Sequence, residues 1–265
     1  MILNTRQWGP ERETRVVCVH GLAQHSSVFD GLGQRLAANG HSVLGVDLRG
    51  HGGSGAEPPW NTDIHAQDVI ETLHSKGVER AIWVGHSYGG RVVSTLAAAE
   101  PERTEGVALL DAPGSVSPVR ALRSIEIERL DWSFATVDGA IEAVLSSDVM
   151  VAPPREVVAA FVRDDVRRGP DGRFRFGFSP GAVVVAWSEM TLPPPPIAAV
   201  PTLLVCAANP LTNTDERDSR YREALGELHT RVEVPNGHNV LWESPKETLA
   251  AVETFITQIK DKEFA

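Results

Sequence analysis

The chain has 265 residues, of which 42% are hydrophobic and 23% are charged, as is typical of a soluble globular protein with one large domain or one domain carrying an insertion. Twenty-five basic and 35 acidic residues give a net charge of −10, which argues against nucleic acid or a membrane surface as the partner. No apolar run approaches the ~20 residues of a membrane-spanning helix, and the N-terminus lacks the apolar core of a signal peptide, so we expect a cytoplasmic protein.

The predicted elements alternate between strand and helix along the first part of the chain. The predicted strands are 3–8, 16–19, 42–48, 81–84 and 106–111, and the helices between them are 26–38, 63–73 and 92–99. The pattern resumes with strand 202–206, helix 215–228, strand 231–234 and a closing helix at 246–259. This alternation predicts an α/β fold with a doubly wound, mostly parallel sheet.

The alternation is interrupted by a stretch rich in helical patterns and aromatic residues. Residues 115–196 contain helical periodicity at 119–130, 139–145, 155–167 and 183–190, and they end in four prolines. We predict that this stretch is an inserted helical lid and that residues 1–114 and 197–265 form the core domain. Most lid aromatics should build its own core, while some should line a substrate pocket. The candidates for the pocket are Trp132, Phe134, Phe178 and Trp187.

The short run Gly85-His86-Ser87-Tyr88-Gly89-Gly90 lies between a predicted strand and a predicted helix. A Gly-x-Ser-x-Gly pattern in that context is typical of a nucleophile elbow, in which a sharp turn raises the serine hydroxyl above the sheet edge. Glycines at both ends leave room where side chains would collide with the neighbouring backbone. The pattern therefore favours Ser87 as a nucleophile over an ordinary surface serine in a glycine-containing loop.

A serine nucleophile needs a base, and His238 is the candidate. It follows the last predicted strand, and the preceding Asn236-Gly237 permits a tight turn. Because the carboxyl ends of parallel strands meet at one edge of the sheet, we expect His238 near Ser87. His20 and Asp111 also follow predicted strands and should lie at the same edge. Neither the nine histidines nor the two cysteines, Cys18 and Cys206, show metal-ligand spacing, so we expect no metal and no cofactor.

Four motifs in this order together resemble the α/β-hydrolase fold family. They are His20-Gly21-Leu22, the run from Asp47 to Ser54, the elbow around Ser87, and Gly237-His238. The resemblance implies that Ser87 is the nucleophile and His238 the base. It also implies an oxyanion hole formed by the backbone N–H groups of Leu22 and Tyr88. Together with the lid aromatics, we expect His20, Gly21 and His25 to line the pocket.

The sequence departs from the family pattern at the acid of the triad. Many relatives carry the acid after the penultimate strand, in a pattern such as Gly-x-x-Asp, but residues 207–210 here read Ala-Ala-Asn-Pro. Asp111, at the end of the strand after the elbow helix, is our preferred acid. Asp215 is the alternative, and a third possibility is that neither serves. The segment before the His-Gly strand is also too short for the full hairpin with which relatives often begin.

These features predict a serine hydrolase that cleaves a carboxylic ester or lactone of a medium-sized, largely apolar small molecule. The same triad also suits a thioesterase or a C–C bond hydrolase. An aspartate nucleophile, as in dehalogenases and epoxide hydrolases of this fold, is disfavoured because the elbow carries Ser87. The alternative from another class is a non-catalytic ligand-binding receptor that retains the fold. The sequence leaves open whether the protein is a monomer or a homodimer.

Overall fold

A computed structural model describes residues 1–10, 15–147, 151, 153–210 and 214–263 of the chain. The strands among these residues are β1 (Thr5–Trp8), β2 (Val16–Val19), β3 (Val43–Val46), β4 (Ala81–His86), β5 (Thr104–Leu110), β6 (Ser133–Phe134), β7 (Arg167–Arg168), β8 (Phe174–Arg175), β9 (Thr202–Ala207) and β10 (His229–Val234). The helices are α1 (Asp30–Ala38), α2 (Thr62–Ser75), α3 (Tyr88–Ala99), α4 (Pro118–Glu128), α5 (Val137–Leu145), α6 (Arg155–Asp165), α7 (Pro180–Glu189), α8 (Thr214–Leu225), α9 (Val240–Glu243) and α10 (Pro245–Glu263). None of the helices in these ranges combines the length and apolar character needed to cross a membrane.

Seven strands form the central sheet, in the order β1-β3-β2-β4-β5-β9-β10. Every neighbouring pair is parallel except β1 and β3, which run antiparallel. The prediction of a mostly parallel, doubly wound sheet is therefore confirmed. At this edge the described residues before β2 contribute the single strand β1 rather than a hairpin.

Helices cover both faces of the sheet, which explains why its central strands are short, continuous apolar runs. All four residues of β2 and all six of β4 are buried. On one face the apolar cluster takes side chains from α1 and α10, and on the other from α2, α3 and α8. The free thiols of Cys18 and Cys206 are buried in β2 and β9, where burial raises the pKa of each.

Residues 115–196 lie between β5 and β9, which are direct neighbours in the sheet. They contain α4 to α7 and a small antiparallel sheet in the order β6-β8-β7, which the sequence did not predict. Within this insert α4 packs on α7 and α5 packs on α6. Buried side chains of α5 and α6 also belong to the apolar cluster under α1 and α10, so the insert is anchored on the core.

The carboxyl ends of β4, β5 and β10 bring the predicted catalytic residues to one edge. Ser87 follows β4 directly, Asp111 follows β5 directly, and His238 lies on the loop after β10. Because β4 and β5 are neighbours, Ser87 and Asp111 come from adjacent strand ends, with α3 forming the crossover between them.

Candidate active site

Ser87 occupies a strained backbone conformation between β4 and α3. Its φ of 52° and ψ of −122° fall in a region that residues other than glycine rarely adopt. Two backbone hydrogen bonds hold the turn: the Ser87 N–H donates to the Leu110 carbonyl at 3.1 Å, and the Gly90 N–H donates to the Ser87 carbonyl at 2.9 Å. The turn is thus fixed by the neighbouring strand β5 and by the first turn of α3.

The glycines around Ser87 are required by close backbone approach. A Cβ atom at Gly89 would lie 2.1 Å from the Val19 carbonyl oxygen, and one at Gly85 would lie 2.6 Å from the Gly89 carbonyl oxygen. Both distances are far below van der Waals contact, so α3 can start this close to β2 only without side chains at these positions. The Gly-x-Ser-x-Gly pattern therefore reflects how tightly this turn is packed.

The side chains of Ser87, His238 and Asp111 form a continuous hydrogen-bonded chain. Ser87 Oγ lies 2.9 Å from His238 Nε2, and His238 Nδ1 lies 2.6 Å from Asp111 Oδ2. Asp111 is 4% exposed and His238 is 8% exposed, whereas Ser87 is only partly buried. The other carboxylate oxygen of Asp111 accepts the Ala207 N–H at 3.1 Å, which fixes the carboxylate against β9.

This arrangement selects one tautomer of the imidazole. Because Nδ1 faces a carboxylate, the proton of a neutral His238 ring lies on Nδ1. The lone pair of Nε2 then points at the Ser87 hydroxyl, which can donate its proton. The geometry is that of a general base directed at a nucleophile, with an acid orienting the base.

The alternative acid, Asp215, is not part of this chain. It lies in the first turn of α8, its side chain is 82% exposed, and its carboxylate pairs with Arg231 at 3.1 Å. A carboxylate that faces solvent at the start of this helix does not contact His238 Nδ1, which is bonded to Asp111. The prediction of Asp215 as an acid is corrected on this ground.

Two predicted pocket residues, His20 and His25, are buried and contact the backbone and the core. His20 is fully buried, its Nδ1 donates to the Gly21 carbonyl at 2.7 Å, and its Nε2 accepts the Leu48 N–H at 2.9 Å. Burial lowers the pKa of His20 to about 4, so the ring is neutral at pH 7. His25 is 4% exposed and stacks on Phe161 with ring centroids 4.3 Å apart. A place for either ring in a pocket wall stays a prediction.

The aromatic residues of the insert pack chiefly on one another. Phe134 lies between Trp132 and Phe176, at centroid distances of 6.4 and 5.7 Å, and Phe176 stacks on Phe178 at 5.9 Å. Trp187, on α7, packs against the apolar cluster on the α3 side of the sheet. These contacts build the interior of the insert, and the role of the four candidates in a substrate pocket stays a prediction.

Gly21 and Tyr88 lie next to Ser87, and Leu22 follows Gly21 in the chain. A Cβ atom at Gly21 would lie 3.0 Å from Ser87 Cβ, so the loop carrying Leu22 touches the elbow. Tyr88 is the first residue of α3, and its N–H has no acceptor within the helix. The positive end of the helix dipole also points here. These are the two backbone donors that we predict for an oxyanion hole.

The fully buried His51 and His65 lie beside this region rather than in it. The His51 ring is 5.2 Å from that of His20, and the His65 ring meets the Tyr88 ring edge-on at 5.8 Å. Burial lowers the pKa of each to about 3. Across the ranges that the structure describes, no group of three or more His, Cys, Asp or Glu residues is arranged to hold a metal ion.

His86 and Gln24 are site residues that the sequence reasoning missed. His86 Nδ1 lies 3.0 Å from Gln24 Oε1, which also accepts the Gly21 N–H at 3.0 Å. On its other side, His86 Nε2 lies 3.1 Å from the carbonyl oxygen of His238. His86 therefore connects the loop of Gly21 and Leu22 to the loop of the base. The only signal in the sequence was its position beside Ser87.

We expect His86→Ala to lower kcat about 10- to 100-fold, the usual cost of removing a group that orients catalytic residues. Burial lowers the pKa of His86 to about 3, so the ring is neutral and donates to only one of these two oxygens, and the change removes that hydrogen bond and the packing of the ring but no charge. KM should change much less than kcat. His86→Gln, whose amide can still donate to the His238 carbonyl, should restore part of the loss. A folded His86→Ala protein with unchanged kcat on an activated ester would contradict this role.

Comparison with known proteins places this geometry in a family. Residues 14–245 match the family model described as alpha/beta hydrolase fold. Lipase LipV of Mycobacterium tuberculosis is 28% identical over 258 residues, covering 94% of this chain and 96% of the lipase. Esterase YbfF of Escherichia coli is 28% identical over 258 residues, covering 91% of this chain and 92% of the esterase.

Among solved structures, E-2-(acetamidomethylene)succinate hydrolase superposes with a TM-score of 0.82 at 26% identity, covering 96% of this chain and 95% of that one. The similarity extends over nearly the whole length of both chains, including the insert between β5 and β9. The family model likewise spans most of the sequence, from before β2 to the first residue of α10. The chain belongs to the alpha/beta hydrolase fold family.

Proposed function

We propose that the protein is a serine hydrolase that cleaves a carboxylic ester or lactone through an acyl-enzyme on Ser87. The observation that carries the proposal is the unbroken chain from Ser87 Oγ through His238 to Asp111, with donor–acceptor distances of 2.9 and 2.6 Å. A hydroxyl is a weak nucleophile unless a positioned base takes its proton, and this chain supplies the base. The partial exposure of Ser87 leaves the hydroxyl within reach of a substrate.

In the first half of the proposed reaction, Ser87 Oγ attacks the acyl carbon while its proton moves to His238 Nε2. Asp111 stabilises the imidazolium that forms. The carbonyl oxygen gains negative charge and is held by the N–H groups of Leu22 and Tyr88, each worth about 3–4 kcal/mol in comparable sites. His238 then donates the proton to the leaving alkoxide, the C–O bond breaks, and the acyl group stays on Ser87.

The second half reverses the roles with water as the nucleophile. His238 removes a proton from water, the resulting hydroxide attacks the acyl carbon, and the same two N–H groups hold the oxyanion. When the tetrahedral intermediate collapses, the proton returns from His238 to Ser87 Oγ and the carboxylic acid is released. The cycle consumes one water and regenerates the neutral histidine, so it needs no group beyond those described.

The relatives support the choice of an ester bond. Two curated relatives that align along nearly their full length carry the names lipase and esterase. The aromatic residues of the insert support a medium-sized and largely apolar substrate. The substrate enters this proposal only as a chemical class.

A covalent probe and a substrate panel test the proposal. We expect a fluorophosphonate to label the wild-type protein and not Ser87→Ala, and p-nitrophenyl esters or simple lactones to be hydrolysed faster than matched thioesters and amides. Preferred cleavage of thioesters would contradict the ester assignment while leaving the nucleophile intact. A folded wild-type protein that neither labels nor turns over any of these compounds would support the non-catalytic receptor instead.

A further inference from the structure

A cleft of about 270 Å³, part of it open to solvent, lies at the junction between α3, α8 and the proline segment that ends the insert. Its walls include Gly90, the residues 112–114 that follow Asp111, and Pro194-Pro195. Three arginines line it: Arg91 on α3, and Arg217 and Arg220 on α8. We call this the arginine cleft. Ser87 and His238 are not among its lining residues.

The guanidinium groups of the arginine cleft lack counter-charges. Among the described residues, none of the three has a carboxylate oxygen within 4.0 Å. The carboxylates of Glu189 and Asp63 act on Arg91 only from a greater distance, and burial lowers the pKa of Arg91, the direction expected when counter-charge is incomplete. On the same helix α8, by contrast, Arg222 is paired with Asp218.

Two of these arginines are deeply buried and keep unused donors. Arg91 is 8% exposed and Arg217 is 5% exposed, and the Nε of each has no hydrogen-bond partner. Leaving a buried cation unpaired is expensive, because the charge has lost its hydration without gaining a partner. The chain as a whole carries a net charge of −10, so a concentration of unpaired positive charge stands out against its surroundings.

A purely structural role accounts for only part of this arrangement. Arg91 donates to the carbonyls of Leu192 and Pro193, and Arg220 donates to the carbonyl of Pro195 at 2.6 Å. These bonds fasten the proline segment to the core. They do not explain Arg217, whose hydrogen bond in the structure goes to Cys206 Sγ at 3.3 Å, nor do they use the buried Nε atoms.

We propose that the arginine cleft binds one small oxyanion, a phosphate or a carboxylate, through the guanidinium groups of Arg91, Arg217 and Arg220. Guanidinium presents a rigid fork of donors that matches the oxygens of such anions. The bound anion would join α3 and α8 to the proline segment at the end of the insert.

Calorimetric titration with inorganic phosphate, at constant ionic strength maintained with chloride, tests the proposal. We expect saturable binding with one site per chain. The midpoint of thermal unfolding should rise with phosphate concentration, because the anion binds the folded chain and not the unfolded one. Arg217→Met keeps the apolar stem and removes the charge, and it should weaken binding about tenfold or more. Arg222→Met on the same helix is the matched control, and it should bind like wild type. A parallel titration with acetate shows whether a carboxylate binds as well as a phosphate.

Two outcomes would overturn the proposal. One is an unsaturable response to phosphate and acetate alike, which is a general salt effect. The other is saturable binding that is equal in wild type and Arg217→Met. Circular dichroism checks that the variant is folded. If Arg217→Met does not fold, Arg220→Met replaces it, because Arg220 is only half-buried, and equal binding by wild type and that variant is then the contradicting result.

Discussion

Replacing Ser87 with alanine should lower kcat on a p-nitrophenyl ester by about 10⁵- to 10⁶-fold while the protein stays folded. The change removes the hydroxyl that attacks the acyl carbon. It leaves both hydrogen bonds of the turn in place, because these use the backbone N–H and carbonyl of Ser87. The backbone conformation at position 87, with a φ of 52°, is as unfavourable for alanine as for serine. The free energy of unfolding should therefore change little.

The measurement compares kcat, fluorophosphonate labelling and the midpoint of thermal unfolding in wild type and Ser87→Ala. Loss of turnover and labelling at an unchanged midpoint is the expected set of results. If Ser87→Ala retains wild-type kcat, another group is the nucleophile and the proposed reaction fails. If the unfolding midpoint of Ser87→Ala falls sharply, its loss of activity is due to unfolding. Labelling of the wild-type protein at Ser87 then decides the identity of the nucleophile.

Asp111→Asn should lower kcat about 10⁴-fold, the cost measured when the acid of a comparable triad becomes an amide. The amide places N–H groups opposite His238 Nδ1, which favours the imidazole tautomer with its proton on Nε2. That ring can no longer accept the proton of Ser87. The remaining amide oxygen still accepts the Ala207 N–H that Oδ1 accepts in the wild type, so the fold should be retained.

Asp215→Asn is the matched control, because it makes the same chemical change at the acid that the sequence left as the alternative. Its side chain is 82% exposed and pairs with Arg231, so the variant should keep wild-type kcat and lose at most ~1 kcal/mol of unfolding free energy. Equal kcat values in wild type and Asp111→Asn would remove Asp111 from the mechanism. A large loss of kcat in Asp215→Asn would also contradict the assignment of Asp111 as the acid.

The centres of the strands could be predicted from the sequence, but several of their ends could not. Val16–Val19 and Thr202–Ala207 are buried on both faces and read as apolar runs. The run 42–48 is longer than β3, which spans Val43–Val46, and the carboxylate of Asp47 just beyond the strand accepts the N–H groups of Ser26 and Gly53. The two-residue strands β6, β7 and β8 are too short to produce any periodicity.

The sequence predicted the candidate site residues whose position is set by a backbone motif. It did not predict those whose role depends on which neighbouring group the side chain contacts. Ser87 stands in a turn whose glycines are imposed by close packing, and His238 ends a loop at the same sheet edge. The choice between Asp111 and Asp215 depends on how far a loop reaches, which no local pattern records. His20 was placed in the pocket because it is polar and follows a strand, yet both its ring nitrogens hold backbone groups.

The position of the insert has a consequence for how this protein could diversify. The reacting groups lie on either side of residues 115–196: Ser87 and Asp111 before them, and His238 after them. The flanking strands β5 and β9 are parallel neighbours, and such a pair always requires a crossover of a dozen or more residues. Evolution can therefore exchange the insert as a module without moving Ser87, Asp111 or His238, provided that the new segment still covers the apolar cluster that α5 and α6 now complete.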